Sequence, residues 1–291
     1  MQGNRLYLFD GTYELFRSYF AAPRRRSRDD QEVGGVVGLM RGLVAFLRNT
    51  QVSYVAVAFD SVIESFRNEL YAGYKSSEGV DRELLQQFPL AEVATRALGF
   101  VVWPMREFEA DDAIATAAAR WRDHPDIDQI VICSPDKDFS QCLQDRRVVA
   151  LDRRKDRIID EDAARERFGV DPESVPDWQA LVGDSADGFP GISGWGKSSA
   201  TAVLKRYGHL EAIPEDAGEW DVQVRGLERL SGSLREHWEE VLLYRRLATL
   251  RRDVPLEEEL GDLRWKGATD ELGTLCRRFR IPDFVERMPS V

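Results

Sequence analysis

Short, almost unbroken apolar runs alternate with longer stretches at helical spacing through the first half of the chain. The runs at 5–10 (RLYLFD), 54–60 (YVAVAFD), 100–103 and 129–134 (QIVICS) read as buried strands, with shorter ones at 148–151 and 157–159. Helices are expected from 11 to about 22, where Leu15, Phe16 and Tyr19 share a face, and over 35–50, 82–98, 110–122 and 139–143. Pro23 and the run Arg24, Arg25, Arg26, Ser27, Arg28 break the first helix into an exposed loop. Residues 61–79 interleave aromatic and basic positions with no clear period. Strands alternating with helices predict an α/β fold, a mostly parallel sheet covered on both faces. In such sheets reactive groups collect at the carboxyl ends of the strands, where Asp10, Asp60 and the Asp136/Asp138 pair fall. From about 163 the pattern becomes purely helical, at 177–182, 197–207, 233–251 and 269–279. A boundary near 165 therefore separates an α/β part, 1–165, from an all-helical part, 166–291, and no internal repeat is visible.

Composition narrows the class. The 291 residues are 43% hydrophobic, a globular content, and no stretch reaches the roughly 18 apolar residues a membrane helix needs. The opening MQGNRLYLFDG lacks the features of a signal peptide. Cys133, Cys142 and Cys276 form no CxxC pair, so neither a disulfide framework nor a zinc knuckle is indicated and a reducing cytoplasm is the default. Lys and Arg number 40 against 51 Asp and Glu, a net charge of −11. That balance argues against a simple DNA coat, which needs basic residues for phosphate. It leaves an acidic-surfaced enzyme, or acids gathered to hold cations.

The positions of the acids bear on that choice. Asp10 and Asp60 end apolar strands; Glu109, Asp111 and Asp112 open a helix in EADDAIA; Asp136 and Asp138 follow a strand in SPDKDFSQ; Asp184 and Asp187 lie in GDSADG between helices. Each alone has an ordinary reading. An Asp after a strand is often a turn former or helix cap, and acids at a helix N-terminus are favoured by its dipole. Taken as a set they form an oxygen-rich pocket suited to hard cations such as Mg²⁺, and two such ions support in-line phosphoryl displacement. The three histidines, His124, His209 and His237, stand outside the acid motifs, as that chemistry allows.

Two further segments accompany the acids. Gly191, Gly194 and Gly196 in GISGWG allow a tight turn before the helix that Lys197 opens, which can cradle a phosphate or be only a glycine-capped connection. Lys205 is a further candidate for phosphate on that helix. After Asp60, Arg67 and Lys75 are candidates to offset charge at a scissile phosphate, and Tyr71 and Tyr74 to stack on bases; the alternative is a surface helix with its aromatics turned inward. The Arg24–Arg28 loop is most simply solvated, with duplex contact as the alternative.

Together, LFDG, FDS…SFR…YAGYK, EADD, SPDKD, GDSADGFPG and GISGWGKSSA, in this order from about residue 5 to about 260, resemble the 5′ nuclease family. That family includes the N-terminal domain of bacterial DNA polymerase I and free-standing flap endonucleases. The resemblance implies a resolvase/PIN-like α/β core, a helical arch at about 61–85 and a helix-3-turn-helix DNA-binding unit at about 177–210. It implies a first metal cluster of Asp10, Asp60, Glu109 and Asp111, with Asp112 and Asp136 beside it, and a second of Asp138, Asp184 and Asp187. Arg67 and Lys75 match the basic residues of the arch. The turn matches a duplex-binding hairpin where K⁺ is held by backbone carbonyls. Three positions depart from the pattern: Ser76, Ser77 and Glu78 follow the YK pair where another basic residue is common, Gly188 replaces a usual Asn, and Trp195 a small aliphatic.

The expected protein is thus a free-standing, monomeric, Mg²⁺-dependent 5′-3′ exonuclease or flap endonuclease serving replication or repair, with Mn²⁺ as a substitute metal. Its partner is DNA with 5′ ends, flaps or nicks, and no membrane. Asp10, Asp60, Asp136, Arg67 and Lys75 are its expected catalytic residues; Arg67, Tyr74, Lys75, Gly191, Gly194, Gly196 and Lys197 are its expected DNA contacts. A PIN-like ribonuclease and a non-catalytic branch binder are the rivals.

Overall fold

The structure, a computed structural model, describes residues 4–290. Along the chain run β1 (Arg5–Asp10), α1 (Gly11–Ala21), α2 (Gly34–Asn49), β2 (Tyr54–Asp60), α3 (Phe66–Leu70), α4 (Arg82–Leu85), α5 (Phe88–Ala97), β3 (Val101–Met105) and α6 (Ala110–Trp121). They continue as β4 (Gln129–Cys133), β5 (Val148–Asp152), β6 (Arg157–Ile159), α7 (Glu161–Phe168), α8 (Val175–Val182) and α9 (Lys197–Tyr207). The last are α10 (Leu227–Glu236), α11 (Trp238–Ala248) and α12 (Glu271–Arg278). These elements form two compact units, neither continuous in sequence. The first takes residues up to 63, 77–134 and from 252 onward; the second takes 64–76 and 135–251.

In the first unit the strands lie in the order β3-β2-β1-β4, every neighbouring pair parallel. Both faces of β1 and β2 are buried, which is why their sequences are apolar runs rather than alternations. The chain runs outward from β1 through β2 to β3, then returns to place β4 on the other side of β1. The carboxyl ends of β1 and β4 therefore flank a topological switch point, the usual location of a site in such sheets. Gly11 is demanded there, because a Cβ on it would lie 2.6 Å from the Phe59 ring and 2.7 Å from the Ala58 carbonyl.

The second unit carries the antiparallel β5–β6 pair and the helices α3 and α7–α11. Its core includes Phe168, Trp178, Leu181, Phe189, Trp195, Trp220 and Leu247.

Several helices differ from expectation. Residues 82–98 form two helices: Gln87, buried between them, turns its side-chain oxygen to the Val36 backbone N–H at 3.0 Å, and Pro89 opens α5. Residues 233–251 likewise divide at His237, with α10 starting earlier, at Leu227. The stretch after β4 is a 3₁₀ helix, Lys137–Cys142. In the segment expected as a helical arch, α3 ends at Leu70 and the next helix begins only at Arg82, with hydrogen-bonded turns at Tyr71–Tyr74 and Ser77–Val80. Tyr-Ala-Gly-Tyr, with a glycine at 73, has weak helix propensity, so a tertiary partner decides its shape.

Candidate active site

In the first unit the acids lie at the carboxyl edge of the sheet. Asp10 ends β1 and caps α1, its Oδ1 accepting from the Tyr13 N–H at 2.8 Å. Its Oδ2 accepts from the Ser134 hydroxyl at 3.0 Å, so the residue just beyond β4 meets the end of β1 at the switch point. Asp60 ends β2; its backbone N–H donates to Thr12 Oγ1 at 2.8 Å and its Oδ1 accepts from the Ala110 N–H at 2.7 Å. That bond ties the end of β2 to the first turn of α6, which carries Asp111 and Asp112 behind Glu109. Glu109 is buried, and the fully buried Asp112 accepts its backbone N–H at 3.0 Å. The capping reading of these acids is thus realised for Asp10, Asp60 and Asp112. It is compatible with ligation, because a carboxylate has about four acceptor positions.

In the second unit Asp136 and Asp138 stand at the 3₁₀ turn after β4, and Asp136 Oδ1 accepts from the Asp138 N–H at 2.9 Å. Asp184 and Asp187 come from the loop after α8, which Gly183 (φ 88°) and Gly188 (φ 88°) shape. Among the described residues, Asp138, Asp184 and Asp187 each offer a carboxylate oxygen, and these lie within 4.8 Å of one another. Burial and the neighbouring Asp136 push Asp138 up to about 6, despite the opposing pull of Lys137. Burial also opposes ionisation of Asp184, but the hydrogen bond and charge of Lys137 hold it below the ordinary carboxylate range.

Two residues of this cluster were not singled out from sequence. The Lys137 ammonium lies 3.0 Å from Asp138 Oδ1 and also pairs with Asp184 Oδ2. Gln179, buried on α8, donates from Nε2 to Asp138 Oδ1 at 2.6 Å and Asp184 Oδ2 at 3.1 Å. Its Oε1 is buried and has no hydrogen-bond partner among the described residues. Three convergent carboxylates and an orphaned acceptor beside them fit a hydrated hard cation, whose ligands are oxygens and whose retained waters are donors. Helical spacing marked Gln179 only as a position on a buried helix, and Lys137 lay inside a motif read for its acids.

The basic segment divides. Lys75 stands beside the trio: its backbone N–H donates to the Asp187 carbonyl at 3.1 Å and its Nζ lies 3.6 Å from Asp187 Oδ1. Arg67 and Tyr74 do not behave as exposed nucleic-acid contacts. Arg67 is 1% exposed, with Nε on the Leu247 carbonyl at 2.8 Å and Nη2 on the Thr249 carbonyl at 3.0 Å. It closes the carbonyl end of α11, where a cation is favoured. Tyr74 is buried in the core of the second unit, and Tyr71 packs edge-on against Tyr244. The inward-facing alternative therefore holds for these residues.

Residues 191–196 form a turn between α8 and α9. Gly191 (φ 74°) and Gly194 (φ 84°) take left-handed backbone, and Gly196 precedes α9, whose first residue, Lys197, is exposed. Trp195 turns into the core against Trp220, which accounts for an aromatic where a small residue is usual. Gly188 has a reason as well: a Cβ there would stand 2.0 Å from the Gly73 carbonyl oxygen, so the Lys75 segment packs where an Asn would intrude. By contrast the Arg24–Arg28 loop is partly neutralised, since Arg24 and Arg26 both pair with Glu83.

A model of the 5′-3′ exonuclease N-terminal resolvase-like domain matches residues 5–169, and one of the 5′-3′ exonuclease C-terminal SAM fold matches 170–271. The chain belongs to the 5′-3′ exonuclease family. It is 29% identical to a 5′-3′ exonuclease of Bacillus subtilis over 99% of this chain and 97% of that one. It is 31% identical to DNA polymerase I of Bacillus caldotenax over 98% of this chain but only 32% of the polymerase, so it spans about a third of such relatives. The fold matches that of the bacteriophage T5 flap endonuclease, solved with DNA and metal ions, at a TM-score of 0.65 and 20% identity, covering 85% of this chain and 89% of that one. The resolvase-like core and helical C-terminal fold expected from the motifs are thus those of the family. Among the described residues no helix is long and apolar enough to cross a membrane.

Proposed function

We propose that this 5′-3′ exonuclease family member hydrolyses phosphodiester bonds in DNA carrying 5′ ends, flaps or nicks, in replication or repair. The observation that carries the reading is the trio Asp138, Asp184 and Asp187, within 4.8 Å of one another, with Lys75 3.6 Å from Asp187. The trio would hold one Mg²⁺; Asp10, Asp60, Glu109 and Asp111, supported by Asp112, would hold another, and Asp136, at the same turn as Asp138, is a further candidate acid. Bound Mg²⁺ lowers the pKa of a water and offsets charge on the leaving 3′ oxygen. Asp10, Asp60 and Asp112, fixed by backbone hydrogen bonds, present their remaining lone pairs without reorganisation. Gln179 fixes Asp138 against Asp184. Lys75 places a positive charge beside the trio for a non-bridging phosphate oxygen. The N–H groups at the start of α9, with Lys197, hold a duplex phosphate without reading sequence. The Gly191–Gly196 turn is our candidate K⁺ site. A monomer acting in the cytoplasm fits the reduced cysteines.

The test is cleavage of a 5′-labelled flap duplex and its matching single strand, in Mg²⁺ and in EDTA, by the native protein and by Asp136→Ala. Short 5′ products released only with Mg²⁺, mainly from the flap, and lost by at least about a hundredfold in the variant, are expected. Full activity of Asp136→Ala would remove that acid from the site. A preference for RNA would favour the ribonuclease reading, and intact binding with no product in Mg²⁺ or Mn²⁺ the branch binder.

A further inference from the structure

Lys137 stands inside the acid trio rather than beside it. Its ammonium lies 3.0 Å from Asp138 Oδ1 and also pairs with Asp184 Oδ2. Both oxygens belong to carboxylates of the group whose ligand atoms lie within 4.8 Å of one another. Carboxylates at that spacing repel strongly unless a cation joins them. Lys75 answers Asp187; Lys137 answers the other two. A lysine suits a place that must be given up. It is a compact point charge with rotatable donors on a flexible four-carbon stem, unlike the rigid fork of Arg. Its side chain is 28% exposed, which leaves a route toward solvent.

We propose that Lys137 is the resident counter-cation of the trio: it occupies the carboxylates of the metal-free protein, must release them when a divalent ion binds, and so sets the affinity of this site. The inference rests on reading the trio as a metal site. An ion and an ammonium competing for the same oxygens bind with negative coupling, and the coupling is reciprocal. Lys137 thereby keeps the acids assembled without metal and weakens their hold on it. A lysine that merely supported the site would do the opposite, and its loss would weaken metal binding.

The experiment is a calorimetric titration with Mn²⁺ at pH 8, together with thermal unfolding in EDTA, for the native protein, Lys137→Met, Lys137→Arg and Asp187→Asn. Asp187→Asn is expected to lose one Mn²⁺ equivalent, which identifies the site. Lys137→Met is expected to unfold at a lower temperature without metal yet to bind Mn²⁺ at that site about fivefold tighter or more, the lower end of usual coupling factors. Lys137→Arg, which keeps the charge and folds without repulsion, should bind Mn²⁺ no tighter than the native protein. Equal or weaker Mn²⁺ binding by Lys137→Met, or clearly tighter binding by Lys137→Arg, overturns the inference and leaves the metal site standing. If Asp187→Asn changes neither stoichiometry nor affinity, the metal reading of the trio falls, and this inference with it.

Discussion

At the scale of single residues, the burial that organises the second acid cluster also strains it. Asp138 is pushed up to about 6 by burial and by Asp136. A carboxylate whose folded pKa is raised binds its proton more tightly in the native state. Its contribution to stability is therefore complete below about pH 4 and is lost as pH rises through about 6. Without metal, Asp138→Asn should stabilise the protein above that window, by on the order of 2 kcal/mol, and the gain should fade toward pH 4. With Mg²⁺ present the sign should reverse, because a ligand has been removed from the state that binds the ion. Melting curves from pH 4 to 8 in EDTA and in Mg²⁺ check both arms; a gain independent of pH would show that Asp138 is not strained. Arg67 gives the complementary case. Arg67→Ala leaves the Leu247 and Thr249 carbonyls without their donor and should cost roughly 2–4 kcal/mol in urea unfolding, with turnover per folded molecule unchanged. Lys should not rescue it, since one ammonium cannot reproduce the fork. A large fall in turnover at full stability would restore Arg67 to the chemistry. The acids were legible because they follow apolar runs whose ends a sheet brings to one edge. Arg67 was not, because a basic residue between aromatics reads alike whether it faces phosphate or a helix end, and only the fold brings residue 247 to it.

At the scale of elements, the central strands β1, β2 and β4 were read almost to the residue, because burial on both faces leaves an unbroken apolar run. The helices were read in place but not in continuity. Nothing in periodicity records that Gln87 satisfies a backbone N–H 51 positions away, or that His237 divides α10 from α11. The hairpin lies between these cases: its glycines were legible, their separate duties were not. A Cβ on Gly191 would stand 2.4 Å from the Gly183 nitrogen, at a φ of 74° that a β-branched residue resists. A Cβ on Gly196 would meet nothing within 4 Å. Gly191→Val should therefore unfold the second unit. Gly196→Val should cost no more than about 1 kcal/mol as a poorer helix cap, yet weaken duplex binding by crowding the N–H groups before Lys197. Circular dichroism melts with duplex titrations over a salt series separate the two. Unchanged affinity of the Gly196 variant would remove the turn from the duplex interface.

At the scale of the whole molecule, the family models divide the chain at 169/170, whereas the compact units exchange segments along it. The stretch beyond about 260, which carries no readable motif, returns to the first unit. The Trp265 indole donates to the Leu98 carbonyl at 3.0 Å, and the Thr269 N–H to that of Ala97 at 3.0 Å. Arg278 clamps Asp29, and the Arg28 N–H donates to the Arg278 carbonyl at 2.9 Å. Leu263, Leu272, Leu275, Phe279 and Phe284 are buried. Each such side chain contributes about 1.5–3 kcal/mol on burial, so together they match the roughly 5–15 kcal/mol by which a whole domain is stable. A chain ending at Arg251 keeps every acid of both clusters, so a purely local view of the site predicts an active enzyme. The fold predicts the opposite: with that tail gone, the unit bearing Asp10 and Asp60 loses part of its core and its cooperative unfolding. Limited proteolysis of the shortened chain should cut first at the end of α5, where the tail packs and its hydrogen bonds to Ala97 and Leu98 are lost, and nuclease activity should fall with the folded fraction. A shortened chain that melts and cleaves like the full one would make residues 252–291 an appendage rather than part of the scaffold.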